Sequence, residues 1–129
     1  MGQVGDSSTT VYLPYSTDVV VKAFTNAANE QRVTISPPSG RPIVLLGSGE
    51  QNKPIGSTHF TTVTNGDQPS LGVTVECSDD GGHTWRPSDI FTDTCSIQAY
   101  QLVVIVSEDH VDEDYNDAVC MISWSEVKR

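Results

Sequence analysis

The chain has 129 residues, with 17 Asp and Glu against 7 Lys and Arg, a formal net charge of −10, and 36 % apolar residues. That length suits one domain over residues 1–129, and no stretch approaches the ~20 apolar residues that cross a membrane. So large an excess of acid, with no basic patch to displace counterions from phosphates, excludes a nucleic-acid partner.

The opening Met1-Gly2-Gln3-Val4 has no basic or apolar leader, and Asp6 breaks the myristoylation pattern. Cytoplasmic synthesis without a signal peptide is expected. Short β-branched runs follow at residues 19–24, 32–35, 42–46, 60–64, 71–77, 97–106 and 119–124. Turn signals separate them: Pro37-Pro38-Ser39-Gly40, Gly47-Ser48-Gly49, Asn65-Gly66-Asp67 and Asp79-Asp80-Gly81-Gly82. A helical apolar period nowhere lasts beyond about two turns. The pattern predicts an all-β protein, an antiparallel β-sandwich of eight to nine strands.

Ser78-Asp79-Asp80-Gly81-Gly82-His83-Thr84-Trp85 resembles the Asp-box of sialidase propellers. Its chemistry is that of a hairpin: Asp80 bonds turn amides, Gly82 permits positive φ, and Trp85 packs over the turn. A propeller repeats the motif once per blade, and 129 residues are too few for one. Of the three cysteines, Cys120 lies in an apolar run and reads as a small buried hydrophobe, while a Cys77–Cys95 disulfide stays open.

Charge is concentrated in one place. Residues 108–117, Glu-Asp-His-Val-Asp-Glu-Asp-Tyr-Asn-Asp, hold six acids and no Lys or Arg. The remaining 119 residues carry eleven acids against seven bases, an ordinary soluble surface. Strands flank the decapeptide, so it cannot relieve its repulsion by extending, and a bound cation is the natural relief. Hard oxygen donors in such number specify Ca²⁺, with its about six to eight oxygen ligands, whereas zinc would find only His110. Asp112-x-Asp114-x-Asn116 follows the first half of an EF-hand loop. Asp117 in place of Gly, Ser123 in place of Glu and strand flanks reject that motif.

Ser107-Glu108-Asp109, then Asp112-x-Asp114-Tyr115-Asn116-Asp117-Ala118-Val119 and Ile122-Ser123-Trp124, resembles the two-calcium bacterial fucose/mannose-binding lectins (LecB-like). Lys22-Ala23-Phe24-Thr25-Asn26-Ala27-Ala28 and Arg86-Pro87-Ser88-Asp89 resemble further family segments, so the likeness spans roughly residues 8–125 at scattered positions. The resemblance implies two Ca²⁺ per chain, one held by Glu108, Asp112, Asp114 and Asp117, the other by Asn26, Asp114, Asn116 and Asp117. Vicinal hydroxyls of a mannose- or fucose-type sugar would enter both coordination shells. Asp109, Asp112 and Asp114 would accept hydrogen bonds from those hydroxyls. Sugar choice would rest on Ala27, Ala28 and Asn29. Ala27 lacks the hydroxyl associated with fucose, which favours mannosides.

The resemblance further implies a homodimer or homotetramer, and export or cell-surface display. One departure bears on assembly. Family chains end three residues after the Trp, on a Gly whose carboxylate reaches a neighbouring subunit's calcium site. Here Trp124 is followed by five residues, with Val127 at the place of that Gly.

Two other functions compete. A glycosidase would need carboxylates on separate elements flanking a substrate, not crowded on one loop. No P-loop, G-x-S-x-G or H-E-x-x-H is present, and His59, His83 and His110 suggest no triad, so a non-enzyme is expected. A structural sandwich merely stabilised by calcium differs from a lectin in one respect. Only the lectin gains further stability from added sugar.

Overall fold

The structure, a computed structural model, describes residues 7–108 and 116–126. It is all-β, with no helix among the described residues. Eight strands follow in chain order: β1 (Ser8–Tyr12), β2 (Asp18–Ser36), β3 (Ile43–Thr61), β4 (Ser70–Ser78), β5 (Arg86–Pro87), β6 (Asp89–Ile97), β7 (Tyr100–Glu108) and β8 (Ala118–Ser125). All pairings are antiparallel, in the order β1-β4-β2-β8-β7-β6, with β3 on the other edge of β2 and β5 beside β4.

The long strand β2 organises the molecule. Its inward positions Val19, Val21, Ala23, Val33 and Ile35 are wholly buried, and the intervening residues are more exposed, as the two-residue side-chain period of a strand requires. One edge of β2 pairs with β3. The other edge pairs with β8 over residues 20–25 and with β4 over residues 30–36. β2 therefore runs through both halves of the sheet. Between those halves lies one continuous core, in which Val33, Leu71, Val73 and Val75 join Val21, Val103, Ile105 and Ile122.

Several strand limits differ from those expected. Residues 19–24 and 32–35 belong to one strand, as do residues 43–46 and 60–61. The Gly47-Ser48-Gly49 turn signal falls inside β3, where it produces a local irregularity: the register against β2 shifts around Ala27, and Gly49 takes φ 129°. Residues 97–106 are instead divided, because the chain turns at Gln98-Ala99, with Gln98 at φ 56°. β6 escaped notice for a physical reason. It pairs only with β7 and buries only Ile90, so it carries no apolar alternation. The three cysteines are free, and burial pushes the Cys120 thiol up to about 12, as befits a small core hydrophobe.

The Asp-box residues form the β4–β5 hairpin. Asp80 Oδ1 accepts hydrogen bonds from the Ser78 hydroxyl (2.7 Å), His83 N (3.0 Å) and Thr84 N (2.8 Å), while Ser78 Oγ accepts from Gly82 N (2.9 Å). Gly82 sits at φ 92°, a conformation that glycine adopts without steric cost. Trp85 folds back over the sheet. The Arg32 guanidinium lies 4.3 Å from its ring centroid and pairs with Glu76 at 2.9 Å.

Candidate functional site

Three segments converge at the irregular middle of the β2–β3 hairpin. The first is Thr25-Asn26 on β2, the second Asn52 on β3. The third comprises the end of β7 and the start of β8, where Ser107-Glu108 meets Asn116-Asp117. One backbone bond and one to a side chain fix this last junction, with Asp117 N donating to Ser107 O (3.0 Å) and Ala118 N to Ser107 Oγ (2.9 Å). β2 is tied to it in turn. The Asp117 carbonyl accepts from Asn26 N (3.0 Å) and from the Thr25 hydroxyl (2.9 Å), and the Asn116 carbonyl accepts from Asn26 Nδ2 (3.0 Å).

Sequence reasoning missed Asn52. Its backbone N–H donates to Asn26 Oδ1 (2.6 Å), and its own Oδ1 accepts from Asn26 Nδ2 (2.8 Å). Gln51 and Asn52 both take left-handed conformations, at φ 66° and 52°. Asn adopts this region more readily than most residues, and such backbone gathers at functional sites. The one available signal was the polar run Glu50-Gln51-Asn52 after Gly49, which reads only as a turn.

The electrostatics of the junction are unusual. Glu108 is fully buried and Asp117 is 2 % exposed, at the two ends of the acidic segment. Carboxylates withdrawn from water are tolerated only when bonded or matched by a cation. Asn26, Glu108, Asn116 and Asp117 offer oxygen donors alone, the chemistry of a hard cation such as Ca²⁺. Asn26 Oδ1 has two lone pairs, and the bond from Asn52 uses one. The donor set fits calcium. Among the described residues, no three His, Cys, Asp or Glu come together by themselves. Asp109, Asp112 and Asp114, the remaining expected ligands and sugar contacts, lie outside the described residues.

The expected sugar-choosing residues are placed as follows. Ala27 is buried, Ala28 is exposed and Asn29 is half-buried. Asn29 Nδ2 donates to Asp79 Oδ1 on the Asp-box turn (3.1 Å), and Asn29 Oδ1 accepts from Gln31 Nε2 (2.9 Å). Arg86, the first residue of the Arg-Pro-Ser-Asp segment, donates from Nε to Asp79 Oδ2 (3.1 Å). A guanidinium and an amide thus meet one exposed carboxylate. The Arg86 bond first, then that from Asn29, holds Asp79 below the usual carboxylate range.

Solved structures resemble this fold over almost its whole length. The Ralstonia solanacearum high-affinity mannose-binding lectin shares 26 % identity at a TM-score of 0.70, covering 92 % of this chain and 96 % of its own. The C-terminal domain of the BC2L-C lectin from Burkholderia cenocepacia shares 27 % at 0.68, covering 98 % and 100 %. The Chromobacterium violaceum lectin CV2L, in complex with alpha-methyl-fucoside, has the same fold at 24 % identity and a TM-score of 0.69, covering 92 % and 96 %. No curated protein sequence matches this one. The sequence profile of the fucose-binding lectins II (PA-IIL), a family whose members are typically calcium-dependent, matches residues 11–126. This chain is a member of the fucose-binding lectin II (PA-IIL) family, and carbohydrate binding is the function it inherits.

Proposed function

We propose that this lectin domain, residues 1–129, binds mannose- or fucose-type monosaccharides through two adjacent Ca²⁺ ions, with mannosides favoured, and catalyses no reaction on them. The observation that carries the reading is the junction of Asn26 with Asn116-Asp117 beside the buried Glu108. It joins residues 90 positions apart in the chain, all bearing oxygen donors. Glu108, Asp112, Asp114 and Asp117 are the residues for one ion; Asn26, Asp114, Asn116 and Asp117 are those for the other. Calcium, when bound, offers coordination positions to vicinal sugar hydroxyls. The protein contributes the rest. Asp109, Asp112 and Asp114 accept hydrogen bonds from the hydroxyls, and residues 27–29 border the sugar. The buried methyl of Ala27 presents no hydroxyl, which is why mannosides are preferred.

Assembly belongs to the same reading. A single shallow site binds weakly, and lectins gain avidity by holding several sites together. A homodimer or homotetramer is supported by a concavity of about 850 Å³ on the outer face of β2, β7 and β8, lined in part by Val20, Tyr100 and Met121. These three apolar side chains are 37 %, 46 % and 36 % exposed. Multi-angle light scattering reads the mass, and a monomer at micromolar concentration would refute this part.

Calorimetric titration with methyl-α-mannoside and methyl-α-fucoside tests the function. Binding is expected in calcium, stronger for the mannoside, and lost after chelation. A protein that binds calcium and gains stability from it, yet binds neither sugar, would be a structural sandwich and not a working lectin.

A further inference from the structure

The segment that borders the sugar has an unusual place in the sheet. On one edge of β2 the pairing with β8 stops at Thr25, and the pairing with β4 begins at Glu30. On the other edge the register with β3 jumps from Ala27, opposite Gly49, to Gln31, opposite Gly47. Ala28 and Asn29 therefore have an in-register strand neighbour on neither edge. Backbone pairing holds them only through the flanking Ala27 and Glu30, and side chains supply the remaining restraint.

Asn29 is where those side chains act. Below it, Gln31 is wholly buried and donates from Nε2 to Asn29 Oδ1 (2.9 Å). Beside it, Asp79 Oδ1 accepts from Asn29 Nδ2 (3.1 Å). Asp79 is itself restrained on two sides. Arg86 Nε donates to its Oδ2 (3.1 Å), and Arg86 stands on β5, paired with Cys77 of β4. The turn that carries Asp79 is shaped by the four bonds of Ser78 and Asp80. The Asp-box hairpin thus adjoins the sugar-bordering segment in two ways, through the pairing of Ser78 with Glu30 and through the Asn29–Asp79 hydrogen bond.

We infer that Asp79 is a positioning residue for sugar choice: anchored by Arg86 on the Asp-box hairpin, it holds Asn29 and so sets the placement of Ala28-Asn29 beside the strand-paired Ala27. The inference rests on the reading of those residues as the sugar-choosing segment. Stability does not explain the contact, since Asp79 is 62 % exposed and an exposed ion pair contributes little to folding.

The test compares the mannoside-to-fucoside affinity ratio in the parent protein, Asp79→Ala, Asp79→Asn, Asn29→Ala and the double variant, with calcium affinity and melting temperature measured alongside. Asp79→Ala should shift the ratio by about threefold or more while calcium affinity and melting temperature stay at parental values. Asp79→Asn keeps an acceptor for Asn29 and should retain the parental ratio. Asn29→Ala and the double variant should share one ratio, because either change removes the same contact. A parental ratio in Asp79→Ala, or additive effects in the double variant, overturns the inference and leaves the lectin reading intact. A parent protein that binds neither sugar overturns both.

Discussion

Asn26 and Asn52 grip each other by two hydrogen bonds, one from the Asn52 backbone N–H to Asn26 Oδ1 and one from Asn26 Nδ2 to Asn52 Oδ1. The pair fixes which amide atom of Asn26 is the oxygen on the side shared with Asn52. An expected calcium ligand is thereby oriented by a residue that need not touch the ion. Outer partners of this kind typically change metal affinity by about 10- to 100-fold.

Asn52→Ala is accordingly expected to weaken calcium binding by about tenfold in calorimetry. It should also cost about 1 kcal/mol of stability, because Ala is less at ease at a positive φ. Asn52→Gly separates the two effects: it keeps the backbone donor and relieves the conformation, so calcium affinity should fall less than in Asn52→Ala. Equal affinity in all three proteins would mean that Asn26 needs no orienting partner.

Removing calcium should lower the melting temperature. A ligand bound only by the folded state at about 100 times its dissociation constant adds about 2.7 kcal/mol. For a chain of this size that corresponds to about 10 °C. Scanning calorimetry with and without chelator measures it. Glu108→Gln, which keeps the buried shape and removes the charge, should shrink the difference.

The Asp-box hairpin should resist acid. The Ser78 hydroxyl first, then the Thr84 amide, holds the Asp80 carboxyl far below the usual carboxylate range. Its folded-state pKa is lower than its unfolded one, so its contribution is present above the ordinary range and lost only as pH falls through the depressed value. The side-chain carboxyl carbon resonance of Asp80 should therefore show no carboxylate titration between neutral pH and about pH 4 and move in stronger acid. A transition centred on an ordinary carboxylate pKa would contradict these contacts.

Ala27→Ser adds a hydroxyl to the segment proposed to border the sugar. Fucoside affinity should rise relative to mannoside, by at most about tenfold for one added hydrogen bond. Competition of the two methyl glycosides for one labelled ligand reads this ratio directly, and no change would remove Ala27 from sugar choice.

The sequence is unevenly transparent to these features, and the reasons are physical. The Asp-box hairpin was legible because its bonds span two to four residues, so spacing alone implies its geometry. The acidic segment was legible because like charges stand consecutively. Asn26 was reachable only by family resemblance, since nothing local distinguishes an Asn that will meet Asn116, 90 residues away. Asn52 was out of reach. Its role depends on a left-handed backbone inside a strand and on a partner across a hairpin. The continuity of β2 and β3 was hidden for a related reason: Gly47-Ser48-Gly49 reads as a turn, yet pairing with β2 before and after it carries the chain through, with only a shift in register.

The double allegiance of β2 also governs when the site can exist during synthesis. Residues 20–25 find their partners on β8 at residues 118–123, about three-quarters of the chain length later, whereas residues 30–36 meet β4 within about half that span. Contacts so distant in sequence close slowly, because a long loop must be ordered before they form. A nascent chain can complete the β2–β3 hairpin and the β4 pairing while β8 is still unmade. The bank of the site that holds Asn26 then waits for the bank that holds Asp117. On the proposed reading, calcium capture is therefore a late event in the life of the polypeptide, and a bound ion would certify that β8 has docked.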